Sequence, residues 1–186
     1  MKQRLNLPIH GAYTVTSELH HDSRGYFREW FWGEESEFEM IQGNLSYSKK
    51  NVIRGLHVST VAGGQAKWIT CVTGIINDAL LDLRPNSPTF LQKVVIEISA
   101  GSGIAVKIPP GVAHGFCSLE DESVVTYLVS SKYDHESEVG IYPLDPEIGI
   151  SWGVSNPILS HKDSKAMRLT EFMFKYEKNM ESHFGN

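Results

Sequence analysis

His57 closes the segment Val52-Ile53-Arg54-Gly55-Leu56-His57. An imidazole has an unperturbed pKa of about 6.5, so it is suited to taking and returning protons near neutral pH. If the segment is a strand, Ile53, Gly55 and His57 share one face, and Arg54 and Leu56 share the other. A glycine beside a histidine on an inner face leaves room for a ligand to approach. A single histidine in a β chain is more often a satisfied structural residue, so this signal does not stand alone. Lys67 opens the apolar run Lys67-Trp68-Ile69. There it is either an edge charge that snorkels to water or, pointing inward, a cation suited to hold an oxyanion. Tyr127 sits in the middle of Val124-Val125-Thr126-Tyr127-Leu128-Val129, where strand patterning alone makes it an ordinary core tyrosine.

The eight histidines do not make a metal signature. His57 is followed by Val58 and Ser59, His114 by Gly115 and Phe116. Neither starts the His-x-His pair that many metal-holding β-barrels use. His20 and His21 are adjacent, so they point to opposite sides of an extended segment. No Cys/His cluster has zinc-ligand spacing, and no bound metal is expected.

The elements that must hold these residues read as short strands. Residues 68–72 and 75–83 flank Thr73-Gly74 and predict a hairpin. Val94, Ile96 and Ile98 alternate with less apolar neighbours, the period of a half-buried strand. Residues 104–108 form another strand, stopped by Pro109-Pro110-Gly111. Residues 114–119, the acidic turn 120–122 and residues 124–129 follow. Turns recur every ~8–12 residues, which predicts an all-β sandwich or barrel rather than βαβ units. Helix is minor: residues 34–40 predict a short one. Ala166, Leu169, Phe172, Met173 and Tyr176 recur at helical spacing, with Ser164 as the candidate N-cap.

Composition bounds the function. The chain has 186 residues, 41% of them hydrophobic, enough for one domain with a real core, and residues 1–186 read as a single domain. Its formal net charge of -5 argues against non-specific nucleic-acid binding, while leaving room for a local basic pocket that holds a small anion. Cys71 and Cys117 lie in apolar stretches and read as buried free thiols. The N-terminal residues carry no signal-peptide pattern, and no apolar stretch approaches ~18 residues. The expectation is therefore a cytoplasmic protein with no membrane association.

An ordered set of segments resembles the dTDP-4-dehydrorhamnose 3,5-epimerase family. It comprises Asp22-Ser23-Arg24-Gly25-Tyr26-Phe27-Arg28-Glu29, Gln42-Gly43-Asn44-Leu45-Ser46, Ile53-Arg54-Gly55-Leu56-His57 and Gln65-Ala66-Lys67. It continues through Pro109-Pro110-Gly111-Val112-Ala113-His114-Gly115-Phe116, Asp145-Pro146-Glu147 and Ser160-His161-Lys162-Asp163. The resemblance implies a cupin-type β jelly roll, a homodimer and no metal or organic cofactor. It implies a nucleotide-linked 4-keto-6-deoxy sugar, usually dTDP-linked, inverted at carbons beside the ketone. By resemblance, His57 is the base, Asp163 its carboxylate partner, Tyr127 the acid on the opposite face and Lys67 the cation near the enolate oxygen. Arg24, Arg54 and His114 would reach the diphosphate or sugar. Glu29, Gln42 and Asn44 would lie near the nucleotide and sugar, and Tyr133 would stack on the base. Arg24 and Glu29 would act across a subunit interface.

Four positions depart from the common pattern: Val58 and Ser59 after the histidine, Leu45 where many members have histidine, and Gly153 after Trp152. They look like the branch that makes deoxysugars for natural products. Two other activities use a similar fold: a metal-dependent cupin oxygenase or isomerase, and a sugar-nucleotide ketoisomerase.

Overall fold

The computed structural model describes residues 2–184. In chain order its strands are β1 (Gln3–Asn6), β2 (Tyr13–Thr16), β3 (His20–Asp22), β4 (Gly25–Phe27), β5 (Gln42–Ser48), β6 (Ile53–Ser59) and β7 (Lys67–Thr73). Then come β8 (Ile75–Asp82), β9 (Lys93–Ser99), β10 (Ile104–Ile108), β11 (Val112–Ser118), β12 (Ser123–Val129) and β13 (Glu138–Gly140). The helices are α1 (Gly33–Ser36), α2 (His161–Ser164) and α3 (Leu169–Phe184). One sheet has the order β1-β2-β10-β7-β12-β5 and the other β13-β6-β11-β8-β9, while β3 and β4 pair only with each other. Two antiparallel sheets face one another, and the chain crosses repeatedly between them. This is the expected cupin-type jelly roll.

Three apolar layers follow from the strand alternation. Ile69 and Cys71 of β7, Ile76 and Leu80 of β8, Val112 and Phe116 of β11, and Val125 of β12 fill the space between the sheets. The outer face of the five-stranded sheet presents Ile53, Leu56, Val58, Ala113 and Cys117, and the C-terminal segment covers it with Ile148, Trp152, Phe172 and Met180. The outer face of the six-stranded sheet presents Tyr13, Val15 and Trp68 to Trp30, Phe31 and Trp32. Cys71 and Cys117 are buried free thiols, both pushed up to about 11 by burial.

Three sequence expectations are corrected. Residues 68–83 do not form a hairpin: β7 and β8 belong to opposite sheets. Gly74, at φ 79°, carries the chain across, and a Cβ there would lie 2.4 Å from Ser123 Oγ. Turn chemistry marks where a chain reverses, not whether it stays in one sheet. The helix over residues 34–40 shrinks to the single turn α1, because Glu37 adopts a left-handed φ of 60°. Ser164 does not cap the C-terminal helix; it ends α2, whose cap is Ser160. Leu169 begins α3, and its amide donates to Asp145 Oδ2 at 2.8 Å, so a distant buried carboxylate supplies the cap.

One buried carboxylate pins the end of β8. Asp82 accepts from Arg84 Nε at 2.8 Å, Ser87 Oγ at 2.6 Å and Thr89 Oγ1 at 2.7 Å. Arg84 also donates to the His10 carbonyl at 2.7 Å, tying in the N-terminal loop. Burial alone would raise the Asp82 pKa, but the Arg84, Ser87 and Thr89 hydrogen bonds outweigh it and hold it below the usual carboxylate value. Asp82→Ala is expected to cost about 3–5 kcal/mol in urea denaturation, because it strands the partly buried Arg84 guanidinium and the Ser87 and Thr89 hydroxyls together. A depressed folded pKa stabilises above the unfolded value of about 3.9, and the gain is lost as pH falls through the folded value. The stability gap between wild type and Asp82→Asn should therefore narrow on acidification below about pH 4; a gap independent of pH would rule out the charge as its source.

Candidate active site

The two sheets splay at one end around a cavity of about 780 Å³. On β7, Lys67 shares the inward face with Ile69 and Cys71, so it points into the barrel and is only 7% exposed. On β12, Tyr127 shares the inward face with Val125 and Val129, and it lines the cavity rather than serving only as core. On β5, Gln42, Asn44 and Ser46 face the same space.

The opposite wall depends on an irregularity. In the β6–β11 ladder His114 pairs with His57 and Phe116 with Arg54, so Gly55 and Leu56 together oppose Gly115 alone. This is a β-bulge. The extra residue overturns the expectation that Ile53, Gly55 and His57 share a face. Arg54 and His57 both line the cavity, while Ile53 and Leu56 lie in the outer apolar layer. The two glycines make the approach possible. At Gly55 the φ is 123°, and a Cβ would lie 2.5 Å from Gly115 Cα and 2.8 Å from the His114 carbonyl oxygen.

His57 and Asp163 meet from residues far apart in sequence. His57 Nε2 lies 2.7 Å from Asp163 Oδ1. Ser160 sets that carboxylate twice: its Oγ accepts from the Asp163 amide at 3.0 Å and donates to Asp163 Oδ2 at 2.9 Å. Burial would raise the Asp163 pKa, but the bonds from His57, Ser160 and the Gly55 amide outweigh it and keep the carboxyl ionised below its ordinary value. With Nε2 committed to Asp163, Nδ1 is the nitrogen left to exchange a proton with a ligand.

A second such pair lies deeper. His114 Nε2 is 2.6 Å from Asp78 Oδ1, and Asp78 is fully buried. Its other oxygen has no hydrogen-bond partner among the described residues. Burial pushes the Lys67 ammonium below an ordinary lysine, with Glu138 and Asp78 pulling it partly back. Burial pushes the Tyr127 phenol up, with Glu138 adding to the rise and Arg54 opposing it.

Of the residues singled out from the sequence, nine border this cavity: His57, Lys67, Tyr127, Asp163, Gln42, Asn44, Arg54, His114 and Tyr133. Arg24 and Glu29 do not. Arg24 sits on the β3–β4 turn, 88% exposed at its side chain, and bonds Asp22 at 2.6 Å. Glu29 lines a separate surface hollow with Lys2 and Trp32. Sequence reasoning missed Asp78, Glu138, Ser160 and Lys162. Asp78 left a signal, a carboxylate on the inward face of an apolar strand, and Ser160 and Lys162 stood unassigned within the segment Ser160-His161-Lys162-Asp163. Among the described residues no three His, Cys, Asp or Glu side chains converge as a metal centre would need, and both cavity imidazoles are already bonded to carboxylates.

Groups able to carry a proton on both walls, with an ammonium on one of them, are what an isomerase needs to move a hydrogen from one face of a carbon to the other. The sequence matches the dTDP-4-dehydrorhamnose 3,5-epimerase family over residues 6–171, and the chain belongs to that family. A dTDP-4-dehydrorhamnose 3-epimerase of Streptomyces niveus is 39% identical over 89% of this chain and 83% of its own. A dTDP-4-dehydrorhamnose 3,5-epimerase of Mycolicibacterium smegmatis is 38% identical over 89% of this chain and 85% of its own. The crystal structure of a 4-keto-6-deoxy sugar epimerase from the novobiocin gene cluster of Streptomyces spheroides superposes with a TM-score of 0.90 at 37% identity, covering 94% of this chain and 91% of the other. The protein is thus an epimerase.

The bulge generates a test. Gly55→Ala is expected to cost about 2–4 kcal/mol by urea denaturation, from a strained φ plus overpacking against Gly115. Catalysis should fall with it, since relief of the clash requires β6 and β11 to part beneath His57. Full activity at wild-type stability would show that the bulge does not set the imidazole.

Proposed function

We propose that the protein, folded as a single domain, inverts C3, C5 or both of a dTDP-4-keto-6-deoxyhexose through an enolate. A C–H beside a ketone becomes acidic because the resulting charge rests on the carbonyl oxygen. The reaction needs a base over one face, a cation at the oxygen and an acid over the other face. The observation that carries this reading is the division between the walls: His57 lies on the five-stranded sheet, and Lys67 and Tyr127 lie on the six-stranded one. His57 Nδ1 takes the proton, and Asp163 stabilises the imidazolium that forms. Lys67 holds the enolate oxygen, and Tyr127, kept protonated by its raised pKa, returns a proton to the opposite face. Arg54, His114 and Lys162 meet the diphosphate and sugar, and Tyr133, half exposed at the mouth, stacks on the base.

We further propose a homodimer in which the β3–β4 hairpin completes the partner's cavity with Arg24 and Glu29. Its support is that the hairpin joins neither large sheet and leaves Tyr26 and Phe27 about half or more exposed, at 49% and 65%. Among the described residues no helix is long and apolar enough to cross a membrane. The cytoplasm is the proposed location.

In deuterated water the protein should wash deuterium into C3 or C5 of dTDP-4-keto-6-deoxyglucose, read by NMR, with the labelled carbons naming the centres deprotonated and the configuration at each naming the centres inverted. No exchange into any dTDP-4-keto sugar would sink the proposal. His57→Ala should slow exchange at least about a hundredfold, the worth of a general base. Tyr127→Phe should leave exchange with retention while abolishing inversion; equal loss of both would assign the phenol another role.

The charge on Lys67 predicts the alkaline limb of kcat/KM. Burial lowers its pKa from the ordinary lysine value of 10.5, so the ammonium is lost below that value as pH rises. The limb should fall below pH 10.5 and move upward in Lys67→Arg. An unmoved limb would remove Lys67 from that role.

A further inference from the structure

The inner face of β5 carries two amides in series. Gln42 Nε2 donates to Asn44 Oδ1 at 2.8 Å. Gln42 Oε1 accepts from the backbone amide of Tyr133 at 3.3 Å. A backbone N–H can only donate, so the Tyr133 contact fixes which end of the Gln42 amide is oxygen. The Gln42 nitrogen must then face Asn44, and Asn44 must turn its oxygen toward Gln42. The Asn44 amino group is left with no hydrogen-bond partner among the described residues, on a side chain that lines the cavity. In the β5–β12 ladder Gln42 lies opposite Val129 and Asn44 opposite Tyr127. The pair thus spans from the Tyr133 segment at the mouth to the Tyr127 wall.

We propose that Gln42 is a positioning residue that holds Asn44 as a pure hydrogen-bond donor to the ligand and ties that donor to the segment bearing Tyr133. This rests on the reading that the cavity takes a nucleotide sugar. The group recognised is an acceptor oxygen between the base and the reacting carbons, on either the diphosphate or the sugar. Direction passes along the chain of amides: moving the Tyr133 segment releases Gln42, and a released Gln42 no longer dictates which end Asn44 presents. Occupancy at the mouth therefore organises a contact beside the reacting centre without any motion of the sheet.

The test begins without ligand. In NMR of the free protein the Gln42 side-chain amide protons should be protected from solvent exchange and those of Asn44 should not. In Gln42→Glu the carboxylate still accepts from Tyr133 but cannot donate, so Asn44 reverses and its protons become the protected ones. Asn44 protons already protected in wild type would overturn the proposal. Binding supplies the second readout, with dTDP-glucose and dTDP as probes in calorimetry. Gln42→Glu should weaken dTDP-glucose about tenfold, and far less in an Asn44→Ala background. Equal weakening in both backgrounds would mean simple charge repulsion and would overturn the relay. The same cycle with dTDP alone puts the oxygen in the diphosphate, and its absence there puts the oxygen in the sugar. If wild type binds neither probe, the nucleotide-sugar reading fails, and the amide protons still decide the relay.

Discussion

The position of the imidazole follows from a single inserted residue. In a regular strand Arg54 and His57, three apart, face opposite sides. The Gly55-Leu56 bulge turns both inward and sends Leu56 to the outer layer. That outer layer enforces the register. Ile53, Leu56 and Val58 are all essentially buried beneath the C-terminal segment, and burying each contributes about 1.5–3 kcal/mol. A slip of one residue would trade these for polar groups, a loss that no single hydrogen bond in the cavity could offset. The imidazole is thus held by apolar packing on the far side of its own sheet.

Burial acts on the cavity's ionisable groups in opposite senses. It drives the Lys67 ammonium toward neutrality and the Tyr127 phenol away from ionisation, because low dielectric disfavours charge of either sign. For the phenol this preserves the form that donates. For the lysine it threatens the form that is useful, and Glu138 and Asp78 partly restore it. The chain's net charge of -5 is no obstacle to an anionic ligand, since Arg54, Lys67 and Lys162 gather at one cavity. Glu138 tempers that cluster, lying 3.7 Å from the Lys162 amine.

The sequence made much of this legible. Alternation located the central strands and correctly put Val94, Ile96 and Ile98 toward the core. Lys67 and Tyr127 lay at odds with the apolar runs around them, and the structure resolves their open alternatives toward the cavity. What stayed hidden depends on partners distant in sequence. Period-two patterning cannot tell a hairpin from a crossing between sheets, so Gly74 misled. It assumes a regular ladder, so Gly55 misled. The cap of α3 comes from Asp145, 24 positions away from Leu169, and no local rule finds it. The two halves of the His57–Asp163 pair stand 106 positions apart, so only an ordered family pattern could join them.

If the cavity takes the proposed dTDP-4-keto sugar, one imidazole beside two candidate carbons leaves the number of inversions to the ligand's placement rather than to the acid–base groups. C3 and C5 flank the same ketone, so an enolate toward either side puts its charge on the same oxygen, and one ammonium serves both. The base must then meet two hydrogens in turn, and the sugar must pivot about its C4 oxygen for that to happen. What limits the pivot is the grip on the rest of the molecule. Productive proton transfer tolerates errors of a fraction of an ångström, so a tight hold at the mouth admits one carbon and a looser one admits two. On the proposed reading, residues that never touch the reacting carbons, those around Tyr133 and the β5 amides among them, would govern which epimer forms.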